Sequence, residues 1–170
     1  MFDLHLTNPF WLYQEDPTKD LCAHGTVEVT IGDARTTQEA TVSAAALELL
    51  RSLQDGHDPV VAELQLLPCC GFSMYPTADD QDVLIIGCPE GVDWGVTLAG
   101  ERVLLTPADG PAVTLPWTTY ARAVCNFADE VAAFYAASAE KRPAPDDEAA
   151  YAIFWRQWHR LRAAASVRLD

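Results

Sequence analysis

A long helical pattern near the C-terminal end is the strongest constraint in this sequence. Mainly apolar side chains recur at alternating intervals of four and three residues, which places them on one face of a helix. That face contains Tyr120, Val124, Phe127, Val131, Phe134 and Ser138. Because a helix with one apolar face must bury it, this segment has to pack against the rest of the chain.

A second helix is predicted directly after the first. Pro143 and Pro145 end the first helix, since proline lacks the backbone N–H that a helix interior needs. The acidic residues 146–148 suit the positive end of a new helix dipole. The apolar face of this helix consists of Tyr151, Phe154, Trp158 and Leu161, with Trp155 beside it.

Antiparallel strands are predicted before these helices. Strand-like segments lie near residues 94–98, 102–105 and 112–115, and turn-forming residues at 99–100 and 107–110 connect them. Connections this short force neighbouring strands to run antiparallel, as in a β-meander.

The remaining patterns add three strands and one helix. The apolar run 83–86 is typical of a central strand that is buried on both faces. Strands are also predicted at 2–6 and at 25–31, where apolar residues alternate. A helix is predicted at about 43–54, with Ser43 as its N-cap.

Together these patterns predict an α+β fold. It would contain a largely antiparallel β-meander sheet, with the two long C-terminal amphipathic helices packed on one face. A length of 170 residues is normal for one domain and short for two. We therefore expect a single domain over residues 1–170, mainly β over 1–116 apart from its one helix, and helical over 117–170.

The charge balance limits the classes of partner. The chain has 25 Asp and Glu residues against 11 Lys and Arg residues, and its formal net charge is −14. Nucleic acids and anionic membranes bind clustered positive charge, so neither is an expected partner. An acidic surface attracts basic proteins, although it also serves solubility alone.

Four arginines stand out in the acidic chain because they all follow residue 155. They are Arg156, Arg160, Arg162 and Arg168. We expect them to complement the helix dipole and the acidic body of the protein. The alternative is that they form a stripe for docking a partner.

The cysteines suggest both a compartment and a candidate site. Met1–His5 does not resemble the start of a signal peptide, and five cysteines is an odd number, so a cytoplasmic protein with reduced thiols is expected. Thiolates and imidazole are preferred zinc ligands, and one set of such residues lies beside Gly or Pro at predicted strand edges. The set is Cys22, His24, Cys69, Cys70 and Cys88.

This Cys/His set has no known zinc spacing, since C-x-x-C and H-x-x-x-H pairs are absent. The alternative is that the cysteines are small buried apolar residues, and no cofactor is then expected. The acidic run 79–82 is a second candidate for a cation, Ca²⁺ or Mg²⁺. It lacks the Gly and terminal Glu of a calcium loop, so a solvated turn is expected instead.

A run of large side chains, residues 10–13, follows Pro9. Side chains alternate along a strand, so they cannot all point inward. Either this segment folds back over the core, which we favour, or Phe10, Trp11 and Tyr13 contact a partner.

Several segments resemble a family of small uncharacterised bacterial proteins, and the resemblance spans nearly the whole chain. They are residues 10–13, 20–25, 67–71 (LPCCG), 87–94 (GCPEGVDW), 127–131, 134–135 and 154–158 (FWRQW). The resemblance implies no known activity and no functional residues. In general character the chain is similar to those acidic, single-domain bacterial proteins that are immunity proteins against toxins.

The motifs of P-loop and Rossmann nucleotide-binding proteins, serine hydrolases and zinc peptidases are absent from the sequence. We therefore expect a non-enzymatic acidic binding protein, as an immunity or regulatory partner of a basic protein. The alternative is a metal- or thiol-dependent enzyme that uses the Cys/His set.

Overall fold

A computed structural model describes residues 1–60, 64–71, 73–87 and 89–170. Its first sheet is antiparallel and contains β1 (Phe2–Phe10), β2 (His24–Ile31) and β3 (Ala34–Ala40) in that order. A bulge interrupts β1 between Thr7 and Phe10. Gly32, at φ 66°, makes the tight turn between β2 and β3. Sequence patterns did not predict β3, because it is a mostly exposed edge strand without apolar alternation.

The predicted meander is confirmed as a separate antiparallel sheet. It contains β6 (Trp94–Ala99), β7 (Arg102–Pro107) and β8 (Val113–Pro116), each paired with its neighbour in the chain. A third sheet consists of only β4 (Tyr75–Pro76) and β5 (Val83–Leu84). The α+β class and the antiparallel pairing are therefore confirmed, but the strands of the described residues divide among three sheets and do not form one.

The prediction of a central strand at 83–86 is wrong. Only Val83 and Leu84 are paired, and Ile86 is 46% exposed. The backbone N–H of Val83 donates to the side chain of Gln157 at 2.9 Å, and its carbonyl oxygen accepts from Arg51. Since side chains satisfy these backbone groups, Val83 is buried without a strand on each side.

Three helices lie against the sheets: α1 (Val42–Asp55), α2 (Trp117–Ala137) and α3 (Glu148–Leu169). Helix α1 contacts both α2 and α3, and α2 also packs on β1. All three predicted helices are confirmed, but Ser43 is not the N-cap of α1. That position belongs to Thr41, and the Ser43 hydroxyl accepts the backbone N–H of Ala23 at 2.7 Å.

Helix α1 is buried over most of its surface, including polar side chains. Ser43 shares a hydrogen bond of 2.7 Å with the Tyr135 hydroxyl, which also lies 2.6 Å from the carbonyl oxygen of Leu21. Nearer the C-terminal end, Ser52 shares a hydrogen bond of 2.8 Å with Tyr120. Tyr120 and Tyr135 both belong to α2, so these two contacts align α1 and α2 in antiparallel directions.

We expect Tyr135→Phe to lower the free energy of unfolding by about 1–2 kcal/mol, because the substitution leaves buried polar groups of Ser43 and Leu21 without this partner. Urea denaturation of the two proteins measures the difference. The matched control is Tyr13→Phe, since Tyr13 is exposed and its loss of a hydroxyl should leave stability unchanged. Equal midpoints for all three proteins would contradict this account of α1.

Candidate functional site

Cys22, the first member of the Cys/His set, is fully buried. Burial raises the pKa of its thiol, and the nearby negative charge of Asp20 raises it further. A thiolate is the form that attacks electrophiles and binds zinc, so this environment opposes both roles. Cys125 is also buried, and burial raises the pKa of its thiol too.

His24 is buried beside Thr41. Its Nδ1 lies 3.4 Å from the Thr41 hydroxyl, and its Nε2 is buried without a hydrogen-bond partner in the described part of the chain. Burial lowers the pKa of His24, against the attraction of Asp20 and Glu39. Burial therefore favours the neutral form of the imidazole.

Thr41 also brings the loop 68–71 towards His24. Its N–H donates to the carbonyl oxygen of Pro68 at 2.9 Å, and its hydroxyl donates to that of Gly71 at 3.0 Å. Gly87 lies close to the other side of this loop, because a Cβ at that position would come within 2.8 Å of the Cys70 carbonyl oxygen. The described parts of these loops therefore converge near Thr41.

This convergence does not bring a metal-binding group together in the described residues, where no three His, Cys, Asp or Glu side chains are suitably placed. Cys69 takes part in a disulfide bond, contrary to the expectation of reduced thiols, while Cys70 is partly exposed. Cys88 lies outside the described residues. Zinc binding by the Cys/His set stays a prediction.

In the folded protein we expect Cys22 to react with a thiol reagent far more slowly than a thiol on the surface. Each unit by which the pKa rises lowers the thiolate fraction about tenfold, and burial also excludes the reagent. Labelling with Ellman's reagent before and after unfolding measures the rate, and a Cys22→Ala variant assigns the slow phase. Fast labelling of native Cys22 would show that its pocket opens readily.

The aromatic segment 10–13 is divided between the core and the surface. Trp11 is only 9% exposed, stacks on Phe134 at 4.9 Å and donates its indole N–H to Ser138 at 2.9 Å. Phe10 is half-buried, with its ring 5.8 Å from that of His24. In contrast, Leu12 and Tyr13 are 51% and 67% exposed. Trp11 therefore covers the core, whereas the next two side chains remain accessible.

Asp20 holds this exposed pair in place. Its buried carboxylate accepts the backbone N–H of Leu12 at 2.6 Å and that of Tyr13 at 3.3 Å. A cavity of about 390 Å³ adjoins the pair, and we call it the Tyr13 pocket. Its lining consists of Leu12, Tyr13, Lys19, Asp20, Leu21, Ser73 and Asp147.

A second recess lies between α2 and α3, and we call it the α2–α3 groove. It has a volume of about 540 Å³ and a mainly apolar lining of Ala132, Tyr135, Ala136, Ala139, Glu140, Lys141, Tyr151, Trp155 and His159. Sequence patterns did not predict it. The available signal is a set of alanines on one face of α2, which leaves space opposite the large side chains of α3.

Lys141 is the half-buried cation of this groove. Its ammonium lies 2.9 Å from the centre of the Trp11 ring and donates to the carbonyl oxygen of Pro17 at 2.7 Å. Desolvation lowers the pKa of Lys141 to about 8, against the attraction of Asp20. The amine is therefore charged at neutral pH but loses its proton more easily than an exposed lysine does.

A histidine–carboxylate pair lies at the end of α1. His57 Nε2 lies 2.8 Å from Asp93 Oδ1, which also accepts the backbone N–H groups of Leu66 and Trp94. His57 lines an open cleft of about 770 Å³. The hydrogen bonds fix the orientation of Asp93, but the described residues of the cleft include no cysteine or serine for a nucleophilic role.

The four arginines of α3 contact the protein's own acidic and carbonyl groups. Arg162 forms two hydrogen bonds with Asp129 on α2, at 2.9 and 2.8 Å. Arg160 pairs with Asp82, and Arg156 donates to the carbonyl oxygen of Asp80 at 2.6 Å. Arg168 donates to the carbonyl oxygen of Gly100 at 2.7 Å. These contacts favour the intramolecular role over a docking stripe.

The acidic run 79–82 forms a turn that its own residues and α3 hold in place. Asp79 accepts hydrogen bonds from the Thr77 hydroxyl and the Gln81 backbone N–H. Asp82 is the residue that pairs with Arg160. This is the solvated turn that the sequence predicts, with the arginines of α3 as added partners.

Comparison of the chain with protein-family models, curated proteins and solved structures finds no match. The resemblance to small bacterial proteins therefore stays a prediction. None of the described helices is both long and apolar enough to cross a bilayer.

Proposed function

We propose that this chain is a non-enzymatic binding protein that recognises a basic protein at the Tyr13 pocket. Sequestration or inhibition of that basic protein is the regulatory or immunity role that we propose for it. The observation that carries the proposal is the exposure of Leu12 and Tyr13 on a backbone that the buried carboxylate of Asp20 holds in place. A preorganised contact of this kind loses little conformational entropy on binding.

The charge distribution supports a basic partner. The net charge is −14, and the arginines of α3 are already engaged in contacts within the protein. The acidic surface is therefore available to attract a cationic protein and to accelerate its association.

The chemistry of the Tyr13 pocket suits an arginine or lysine side chain. The exposed Tyr13 ring offers an aromatic face to a cation, and Asp147 supplies a carboxylate on the pocket wall. Asp147 is the N-cap residue of α3, but its side chain makes no capping hydrogen bond. Lys19, also in the lining, pairs with Asp16 at 3.5 Å, so its charge is partly neutralised.

The enzymatic alternative has less support in this geometry. Burial raises the pKa of the Cys22 thiol, and burial lowers the pKa of His24, which lies two residues further along the chain. A thiol-dependent enzyme would need the opposite shift at its nucleophile.

We expect a short peptide of alternating arginine and alanine to bind the protein and to perturb the amide NMR signals around Tyr13 and Asp147. Tyr13→Ala and Asp147→Asn should each weaken binding about fivefold, since each removes one cation-binding group. Increasing salt should weaken binding further.

The matched control is Asp33→Asn, which changes the net charge by the same amount as Asp147→Asn but lies in the β2–β3 turn. If both Asn variants weaken binding equally, the attraction is general and the Tyr13 pocket is not the site. Affinity that does not change with ionic strength would count against a basic partner altogether.

A further inference from the structure

The α2–α3 groove has the size and lining of a site for a small molecule. Ligand sites of this kind are typically about 300–1,000 Å³, mainly apolar, and contain a few polar groups that orient the ligand. The groove measures about 540 Å³. Ala132 and Ala136 lie on α2, and Tyr151 and Trp155 lie on α3, so a flat apolar body can fit between the two helices.

The indole of Trp155 is well placed to contact such a body. Its ring lies 4.9 Å from Tyr135 and 5.7 Å from His159, so aromatic neighbours fix its orientation. Trp155 is also half-buried, whereas the other four tryptophans of the chain are buried. Its fluorescence is therefore the emission most sensitive to an occupant of the groove.

Lys141 indicates the charge of the occupant. The ion pairs among the described residues do not include Lys141, although the chain carries 25 acidic residues. Its partners are instead a carbonyl oxygen and an aromatic ring, as described above. A half-buried ammonium without a carboxylate partner gains a charge-assisted hydrogen bond when an anion binds.

We propose that the α2–α3 groove binds a small carboxylate with an aromatic or other flat apolar body. The carboxylate contacts Lys141, and the apolar body lies between Trp155 and the alanines of α2. This proposal does not depend on the Tyr13 pocket or on the nature of a protein partner.

Other titratable groups around Lys141 set the electrostatics of the groove. Glu140, Tyr151 and His159 line the groove. The negative charge of Asp20 favours the charged form of Lys141 and raises its pKa. Glu140 is exposed and repels a carboxylate only weakly, because water screens its charge. Removing the Glu140 charge should therefore strengthen binding slightly.

The affinity should depend on pH through Lys141. A bound carboxylate favours the ammonium form, so binding is strongest where Lys141 is protonated. Since the pKa of Lys141 is about 8, affinity should fall as the pH rises through that region. An arginine at the same position keeps its charge, so its affinity should not fall in this way.

The test uses two probes with the same apolar body and opposite charges, 3-phenylpropionate and 3-phenylpropylammonium. Titration into the full chain is followed by tryptophan emission. The carboxylate should cause a saturable change that Trp155→Phe removes, and it should bind at least about tenfold more tightly than the ammonium probe.

Four further variants test the individual contacts and the charge of the groove. Lys141→Met should weaken carboxylate binding about tenfold, whereas Lys141→Arg should retain it and remove its pH dependence. Ala136→Leu should abolish binding by filling the groove, and circular dichroism should show an unchanged fold because Ala136 is exposed. Glu140→Gln is the charge control and should bind at least as tightly as the original chain.

Several outcomes would overturn the proposal. Equal or tighter binding of 3-phenylpropylammonium would show that the groove does not select an anion. Unchanged affinity in Lys141→Met would show that the ammonium of Lys141 does not contribute to carboxylate binding. Absence of saturation up to about 10 mM carboxylate would show that the groove does not bind such a ligand.

Discussion

The burial of α1 is the constraint on which the rest of the structure depends. A helix that is enclosed on most sides cannot leave its serine hydroxyls to water, so neighbouring elements must provide partners. Tyr120 and Tyr135 of α2 do this at the two ends of α1, opposite Ser52 and Ser43. Because these contacts are directional, they set the position of α2 along α1 as well as its distance.

The position of α2 in turn places both candidate sites. Trp11 is buried where it stacks on Phe134 of α2. The next two side chains, Leu12 and Tyr13, are exposed. The same helix forms one wall of the groove, and Arg162 joins it to α3 through Asp129. The two recesses differ in chemistry, since the Tyr13 pocket contains Asp147 and the groove contains a cation without a carboxylate partner.

Predictability from the sequence follows the strength of the local pattern. The helices and the 94–116 meander have clear periodicity and turn signals, and both were predicted. Strand β3 has neither apolar alternation nor burial, so nothing local marks it. The run 83–86 has a strand-like composition, but Gln157 and Arg51 satisfy its backbone from distant parts of the chain.

The sequence by itself determined the α+β class, the existence of the three helices and the strongly acidic balance, because these depend on composition and on neighbours a few residues apart. Only the tertiary structure decided that Trp11 is buried while Tyr13 is exposed, and that Cys22 lies in the core. It also decided that Lys141 lines a groove between two helices. Burial, pKa and cavity shape depend on residues that are far apart in the chain, and a local pattern contains no information about their distances.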